Sequence, residues 1–332
     1  MRNKCKVVLT LAVLAAIIGG LAACSGKKAP AGHVRLVLDW TPNTNHTGLY
    51  VALEKDWFTE EGLSVQIIQP PEDGALALLG SGSVEFAIDF QETMGPAIAK
   101  AETDRDALPI QAVAAIISHN TSGIMSLAQT GINRPRDLAG KRFASWETPL
   151  VTAIIKDIVD GDGGDFNAVT MIPNFATDAF SALATDIDAI WIYYAWDGIA
   201  AEVNGISIDY LDLGRINPLF DFYTPIIAAN TNWLAANPET AKKFLRAASR
   251  GYLFAMENPA EAGEILLKHA PELDRALVMR SQDYLASRYQ GDAPRWGEID
   301  GERWGNFYRW MFDQGLLEKD IYAGGYTNEY LP

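Results

Sequence analysis

From His33 onward the chain switches repeatedly between two hydrophobic periods. Short apolar runs of strand length, HVRLVLDW (33–40), SVQIIQ (64–69) and FAIDF (86–90), alternate with segments of helical spacing. The segment 46–62 sets Leu49, Leu53 and Trp57 on one helical face, and GALALLGSG (74–82) predicts a short helix. IQAVAAII (110–117) is continuously apolar, as in a strand buried on both faces. The rhythm then restarts. GIMSLAQT (123–130) and KRFASW (141–146) predict strands, and TPLVTAIIKDIVDG (148–161) predicts a helix. VTMIPN, DAFSALATD and IDAIWIYY carry the alternation to Tyr194. This is the pattern of an α/β protein with a mainly parallel sheet. From about Pro238 the pattern becomes helical, with Phe244, Leu245, Ala248, Tyr252 and Leu253 apolar, and these helices are expected to cover the first lobe.

A weak internal repeat points to two lobes. GALALLGSGSVEFAIDF (74–90) resembles DAFSALATDIDAIWIYY (178–194): a short helix turns into an apolar strand that has one acid near its start, Glu85 or Asp188. Ligands of parallel α/β sheets bind beyond the carboxyl ends of the strands, so the polar and aromatic clusters that follow these two strands are expected to face one cleft.

The first residues change the picture of where the chain works. MRNKCK is basic, and residues 7–23 are apolar and end in small residues, the make-up of an export signal. Leu21-Ala22-Ala23-Cys24 has the form of a bacterial lipobox, so residues 1–23 are expected to be cleaved and Cys24 lipidated. A diacylglyceryl group supplies the two chains that stable anchoring needs. Residues 24–33 read as a flexible tether. The expected location is the cell membrane, lipid-anchored, facing the periplasm or the cell exterior.

Composition narrows the chemistry. The formal net charge is −15, and the leader contributes only positive groups, so the mature chain is more acidic still and repels nucleic-acid phosphates. Cys5 and Cys24 are the two cysteines, which leaves the body without a disulfide, a thiol nucleophile or a thiolate zinc site. Nucleophile elbows, phosphate loops and HExxH are absent, so no catalytic residue, metal or cofactor is expected. Aromatic residues instead gather near strand ends: Trp40, Trp146, Trp191, Tyr193, Tyr194, Trp196 and Tyr223. Trp191, inside an apolar strand, and Trp57 are assigned to the core. Beside the others stand Asp39, Asn43, Asn45, His46, Gln91, Asp197 and Asp221. Flat side chains with a few orienting polar groups suit a flat small ligand.

The segment DWTPNTNHTG (39–48), with FAIDFQE (86–92), WETP (146–149), WIYYAWDGI (191–199), DFYTP (221–225) and YTNEYL (326–331), resembles the NMT1/THI5-like family of substrate-binding proteins. The similarity runs from about Val34 to Pro332. It implies a type II periplasmic-binding-protein fold, with lobe 1 built from 34–117 plus 226–332 and lobe 2 from 118–225, joined by hinge strands. It also implies a permease and an ATPase of an ABC importer as partners, and a thiamine-precursor aminopyrimidine as ligand. Carried over residue by residue, it implies binding by Asp39, Trp40, Gln91, Tyr193 and Asp197. Asn45, His46, Trp146 and Tyr223 complete the candidate set from the aromatic and polar clusters.

Two alternatives remain. Similar proteins take up riboflavin, alkanesulfonates or other small solutes. Enzymes of the same superfamily make the thiamine pyrimidine from their own histidine and pyridoxal phosphate; they have a lysine and a histidine after the third strand and a cysteine-rich motif near the second hinge. This chain reads AIDFQETMGP (87–96) and INPLFDFYTPII (216–227) there, with Asp and Thr in place of lysine and histidine and no cysteine.

Cys24→Ala is expected to move the protein from the membrane to the soluble fraction on cell fractionation. A variant that stays membrane-bound and unprocessed would show a helical anchor instead.

Overall fold

The computed structural model describes residues 32–71, 74–100, 108–146, 148–173 and 178–332. The expected leader, the Cys24 lipidation site and most of the tether lie outside these residues.

The fold contains two five-stranded sheets. The first has the order β2 (Ser64–Ile68), β1 (His33–Val37), β3 (Phe86–Asp89), β10 (Ile226–Asn230), β4 (Ile110–Ala115). The second has the order β7 (Thr170–Pro173), β6 (Arg142–Ser145), β8 (Ala189–Tyr193), β5 (Ser122–Leu127), β9 (Ile208–Asp212). β1 and β3 are parallel, as are β6 with β7 and with β8. β10 runs antiparallel between β3 and β4, and β5 antiparallel between β8 and β9. The sheets are therefore mixed, where the alternating pattern predicted mainly parallel ones. The reversed strand in each case is the first strand after the chain crosses from one sheet to the other.

The internal repeat is real in topology: β3 and β8 hold the same place in the two orders. The repeated acid has one task in both. Glu85 Oε2 accepts from the backbone N of Arg35 at 2.7 Å, and Asp188 Oδ2 accepts from the backbone N of Arg142 at 2.8 Å. Each acid fixes its central strand to the neighbouring strand β1 or β6. Glu85 also takes the Arg35 guanidinium at 2.7 Å.

The inner strands of the first sheet, β3 and β10, and its strand β4 are buried on both faces, as their apolar runs foretell. Leu36, Phe86, Ile88, Val113 and Ile227 join one core, with α1 (Thr47–Glu54) and α2 (Pro238–Glu257) packed over it. Val37, Ala87, Ala112 and Ala228 join the other, against Trp304, Phe307 and Tyr308 of α3 (Gly301–Asp313). Successive residues of one strand thus enter opposite cores, the two-residue period of a strand. Phe244 of α2 stacks between Phe86 and Phe58, at ring distances of 4.1 and 5.3 Å. The long helix predicted over 46–62 is shorter: it stops at Glu54, and Asp56 then adopts a left-handed conformation with φ 58° before one further turn, Trp57–Glu60. Trp57, assigned to the core, is only half buried. It packs on Phe254 under the Arg250 guanidinium, and Phe58 fills the core instead. The C-terminal segment lies along β4: Ala112 N donates to Gly325 O and Thr327 N to Ala112 O, both at 2.9 Å, which covers a sheet edge.

Helices α1 and α2 touch through glycine. A Cβ on Gly251 would lie 1.9 Å from the carbonyl oxygen of Gly48. Gly251→Ala is expected to lower stability by about 3 kcal/mol, because the clash outweighs the roughly 1 kcal/mol helix-propensity gain. Gly161→Ala, where nothing lies within 4 Å, is expected to be neutral or slightly stabilising. Urea unfolding of the two variants checks the contrast.

Candidate functional site

Between the carboxyl ends of the two sets of strands lies a cavity of about 840 Å³, within the range of small-molecule sites. The loop after β1 supplies Asp39, Trp40 and Asn45. The start of α4 (Gln91–Ala99) supplies Glu92 and Thr93, the end of β6 supplies Ser145, and the residue after it is Trp146. Tyr193, Trp196 and Asp197 come from the end of β8 and the turn after it. Trp40 and Trp146 follow equivalent strands, β1 and β6, and remain 41% and 43% exposed, so they stand at the open mouth rather than in the core. Deeper in, Tyr193 lies nearly parallel to Phe90 at 6.3 Å and 6.5 Å from Trp146. Together these rings form an aromatic wall.

The loop 39–46 is held rigidly from below. Asn43 N donates to His46 Nδ1 at 3.2 Å, so the ring proton sits on Nε2, which donates to Asp39 Oδ1 at 2.6 Å. Tyr252 and Tyr289 donate to the carbonyl oxygens of Asn45 and Thr44, each at 2.7 Å. His46 is fully buried and does not line the cavity; it aims Asp39, the work of a supporting residue rather than a contact.

Gln91 and Tyr223 likewise differ from expectation. Gln91 is fully buried: Nε2 donates to Trp304 O and Oε1 accepts from Tyr223 N, both at 2.9 Å. The hydroxyl of Tyr223 accepts from Asp300 N at 2.8 Å, and Arg303 covers its ring. Neither lines the cavity, because their polar atoms are used in joining β3 to the segment that returns from the second sheet. Asp39, Trp40, Asn45, Trp146, Tyr193 and Asp197 do line it. So does Trp191, assigned to the core: the ring is buried, yet it borders the cavity, and its Nε1 has no hydrogen-bond partner.

The electrostatics are one-sided. Asp39, Glu92 and Asp197 line the cavity, and none of the described lining residues is Lys, Arg or His. Burial pushes the Asp197 carboxyl up to about 6, against backbone amides of the turn that favour its charge. That turn, Tyr194–Gly198, is a π-turn, which lets Tyr193 and Asp197 both reach the cavity. Burial pushes Asp89 up to about 6 and Glu92 up to about 8, with Asp89 adding to the Glu92 shift. Glu92 belongs to the polar cluster after β3 that the repeat expects at the cleft, but it is missing from the candidate binding residues, where Gln91 stands instead. Consecutive residues of a helix point about a quarter-turn apart, and the sequence alone does not say that Glu92 rather than Gln91 turns inward. Continuing the internal repeat past its end sets Glu92 within one residue of the Asp197 equivalent, a signal that was present. Among the described residues, no group of three or more His, Cys, Asp and Glu could hold a metal ion.

Two mixed α/β sheets with a cleft between their strand ends are the two-lobed architecture of periplasmic binding proteins. The alkanesulfonate-binding protein SsuA from Xanthomonas axonopodis pv. citri, solved bound to MOPS, shares it with a TM-score of 0.67 at 15% identity, over 89% of this chain and 98% of that one. Within that architecture the chain belongs to the NMT1/THI5-like family, which matches residues 43–262. The formylaminopyrimidine-binding protein of Halalkalibacterium halodurans is 29% identical over 301 residues, 87% of this chain and 88% of that protein. The 4-amino-5-hydroxymethyl-2-methylpyrimidine phosphate synthase of Aspergillus parasiticus is 25% identical over 327 residues, 90% of this chain and 87% of that protein.

Gln91→Ala is expected to cost about 2–3 kcal/mol of stability, since it strands the Tyr223 amide in the interior. A drop in the thermal midpoint of the ligand-free protein checks this.

Proposed function

We propose that the protein is the extracytoplasmic solute-binding component of an ABC importer, tethered through a lipid on Cys24, and that it captures a thiamine-precursor aminopyrimidine of the N-formyl-4-amino-5-aminomethyl-2-methylpyrimidine type for its permease and ATPase. The observation that carries this reading is the cleft: aromatic rings from both sheets face it together with three carboxyl groups and no described cationic side chain. Such a site favours a flat, amine-bearing ligand and disfavours the anions that guanidinium or ammonium groups would bind. Asp39 and Asp197 accept from the ligand's amino group and Trp40 and Tyr193 stack on its ring. Similarity to the formylaminopyrimidine-binding protein supports the ligand class.

The synthase alternative is disfavoured by the residues at its working positions. Where the enzymes have lysine and histidine, Asp89 accepts a hydrogen bond from the Thr93 hydroxyl. Neither group can hold a pyridoxal aldehyde or surrender an imidazole ring. Riboflavin is the second reading, and cavity size favours it, since about 840 Å³ exceeds what a one-ring ligand fills. On the aminopyrimidine reading the excess volume is removed when lobe 1 (34–117 plus 226–332) and lobe 2 (118–225) close about the segments that join them. The strand content of the two sheets, 33–115 with 226–230 and 122–212, supports that division.

Calorimetry on wild type, Asp197→Asn and Trp40→Ala separates the readings. An aminopyrimidine is expected to bind wild type and to lose about ten- to a hundredfold in either variant. A flavin, with carbonyl and imide edges, is expected to suffer from Trp40→Ala while tolerating Asp197→Asn. Small-angle scattering is expected to give a smaller radius of gyration with ligand; an unchanged radius at saturation would refute closure.

A further inference from the structure

One carboxyl group of the cleft has an oxygen with no partner in the fold. Oε2 of Glu92 is shut off from solvent and has no hydrogen-bond partner, and Glu92 lines the cavity. A buried oxygen without a partner is costly, and natural structures retain one where something else supplies the partner. Asp39 is engaged by His46, and backbone amides act on Asp197 and on Glu92 alike, so what sets Glu92 apart is its unpartnered Oε2. The ionisable groups that act on Glu92 are Asp89 from the end of β3, Tyr193 from β8 and Tyr308 from α3, and none is a cation. The Tyr308 hydroxyl is already spent on the Gln91 carbonyl at 2.8 Å. A ligand in the cavity can supply what Glu92 lacks.

We propose that Glu92 is the specificity-determining residue of the cleft, selecting a ligand whose ring has a basic nitrogen and sharing a single proton with that nitrogen in the complex. The inference rests on the aminopyrimidine reading and identifies the group that reads the ring. The proton balance is simple. Burial keeps Glu92 protonated up to about pH 8, so at neutral pH the protein brings the proton and the neutral ring brings the lone pair. On contact the O–H either donates to the ring nitrogen or passes its proton across, leaving carboxylate against pyrimidinium; no proton is gained or lost. Above about pH 8 the free protein has lost that proton, and binding must take one from solvent. Affinity is therefore level near neutrality and falls by about tenfold per pH unit above the Glu92 value. A sulfonate would meet no cation among the described lining residues, and a flavin's imide edge offers no basic nitrogen.

The test is calorimetry of the full mature chain with N-formyl-4-amino-5-aminomethyl-2-methylpyrimidine on both sides of pH 8, in two buffers of different ionisation enthalpy. Wild type is expected to take up no proton at pH 7 and close to one well above pH 8. Glu92→Gln is expected to show neither the uptake nor the alkaline decline. Glu92→Ala is expected to lose about tenfold or more in affinity at pH 7. The ligand-free variants are expected to melt no lower than wild type, which separates recognition from structural support. Wild-type affinity in Glu92→Ala, or a flat wild-type profile through pH 8, overturns the inference and leaves the aminopyrimidine reading standing. A wild type that ignores the pyrimidine and binds riboflavin overturns both.

Discussion

Everything about the cleft depends on how two passages of chain are held side by side. Residues 116–121 take the chain from the first sheet to the second, and residues 213–225 bring it back. The Asp221 carboxylate joins them. Oδ1 accepts from Asn120 N at 2.8 Å, and Oδ2 lies 2.6 Å from His119 Nδ1 and 3.0 Å from an Arg303 nitrogen. Asn120 answers with a hydrogen bond from Nδ2 to Phe220 O at 2.8 Å. Arg303 also donates to Ser118 O at 2.6 Å and covers the ring of Tyr223, which brings α3 into the same clasp. A single charged group with several donors is worth more than a neutral bridge. Here it ties together the two passages of chain that join the sheets. Asp221 belongs to the joint, although the sequence had placed it among the ligand-facing polar residues.

The legible part of the site was what strand ends dictate. Asp39, Trp40, Trp146, Tyr193 and Asp197 each follow an apolar run, and chain direction alone brings them to the rim. What the sequence withheld was the choice between neighbours on a helix and between a polar side chain's possible partners. Gln91 looked like a ligand contact because it is polar and follows β3; it is instead satisfied by Tyr223 and Trp304, residues more than a hundred positions away. The fold was legible as α/β from its alternating periods. The reversal of β5 and β10 was not, because periodicity gives the faces of a strand and not its direction. Glu85 and Asp188 were noticed as a repeat, but their task, accepting a neighbouring strand's amide, appears only with register in hand.

The site also shows how one architecture accommodates binding and chemistry. Proteins similar to this chain include both a formylaminopyrimidine-binding protein and a synthase, so likeness of sequence alone does not separate binding from chemistry. In this chain Asp89 accepts from the Thr93 hydroxyl, and burial favours the protonated state of both Asp89 and Glu92. Tyr252, Tyr289 and His46 hold the loop 39–46 from below.

The strand order has a consequence for how the chain is made. The second sheet is drawn from one uninterrupted stretch, 122–212, and can assemble as soon as that stretch exists. The first sheet cannot. Its inner strand β10 is synthesised only after the entire second sheet, and the edge of β4 waits for residues 325–327 near the C-terminus. Until then β3 and β4, both continuously apolar, have no partner between them. The earlier-made half of the molecule thus waits for the later-made one, with the inner edges of β3 and β4 unpaired until residues 226–230 exist. Non-local pairing of this kind is slow and leaves edges exposed to aggregation.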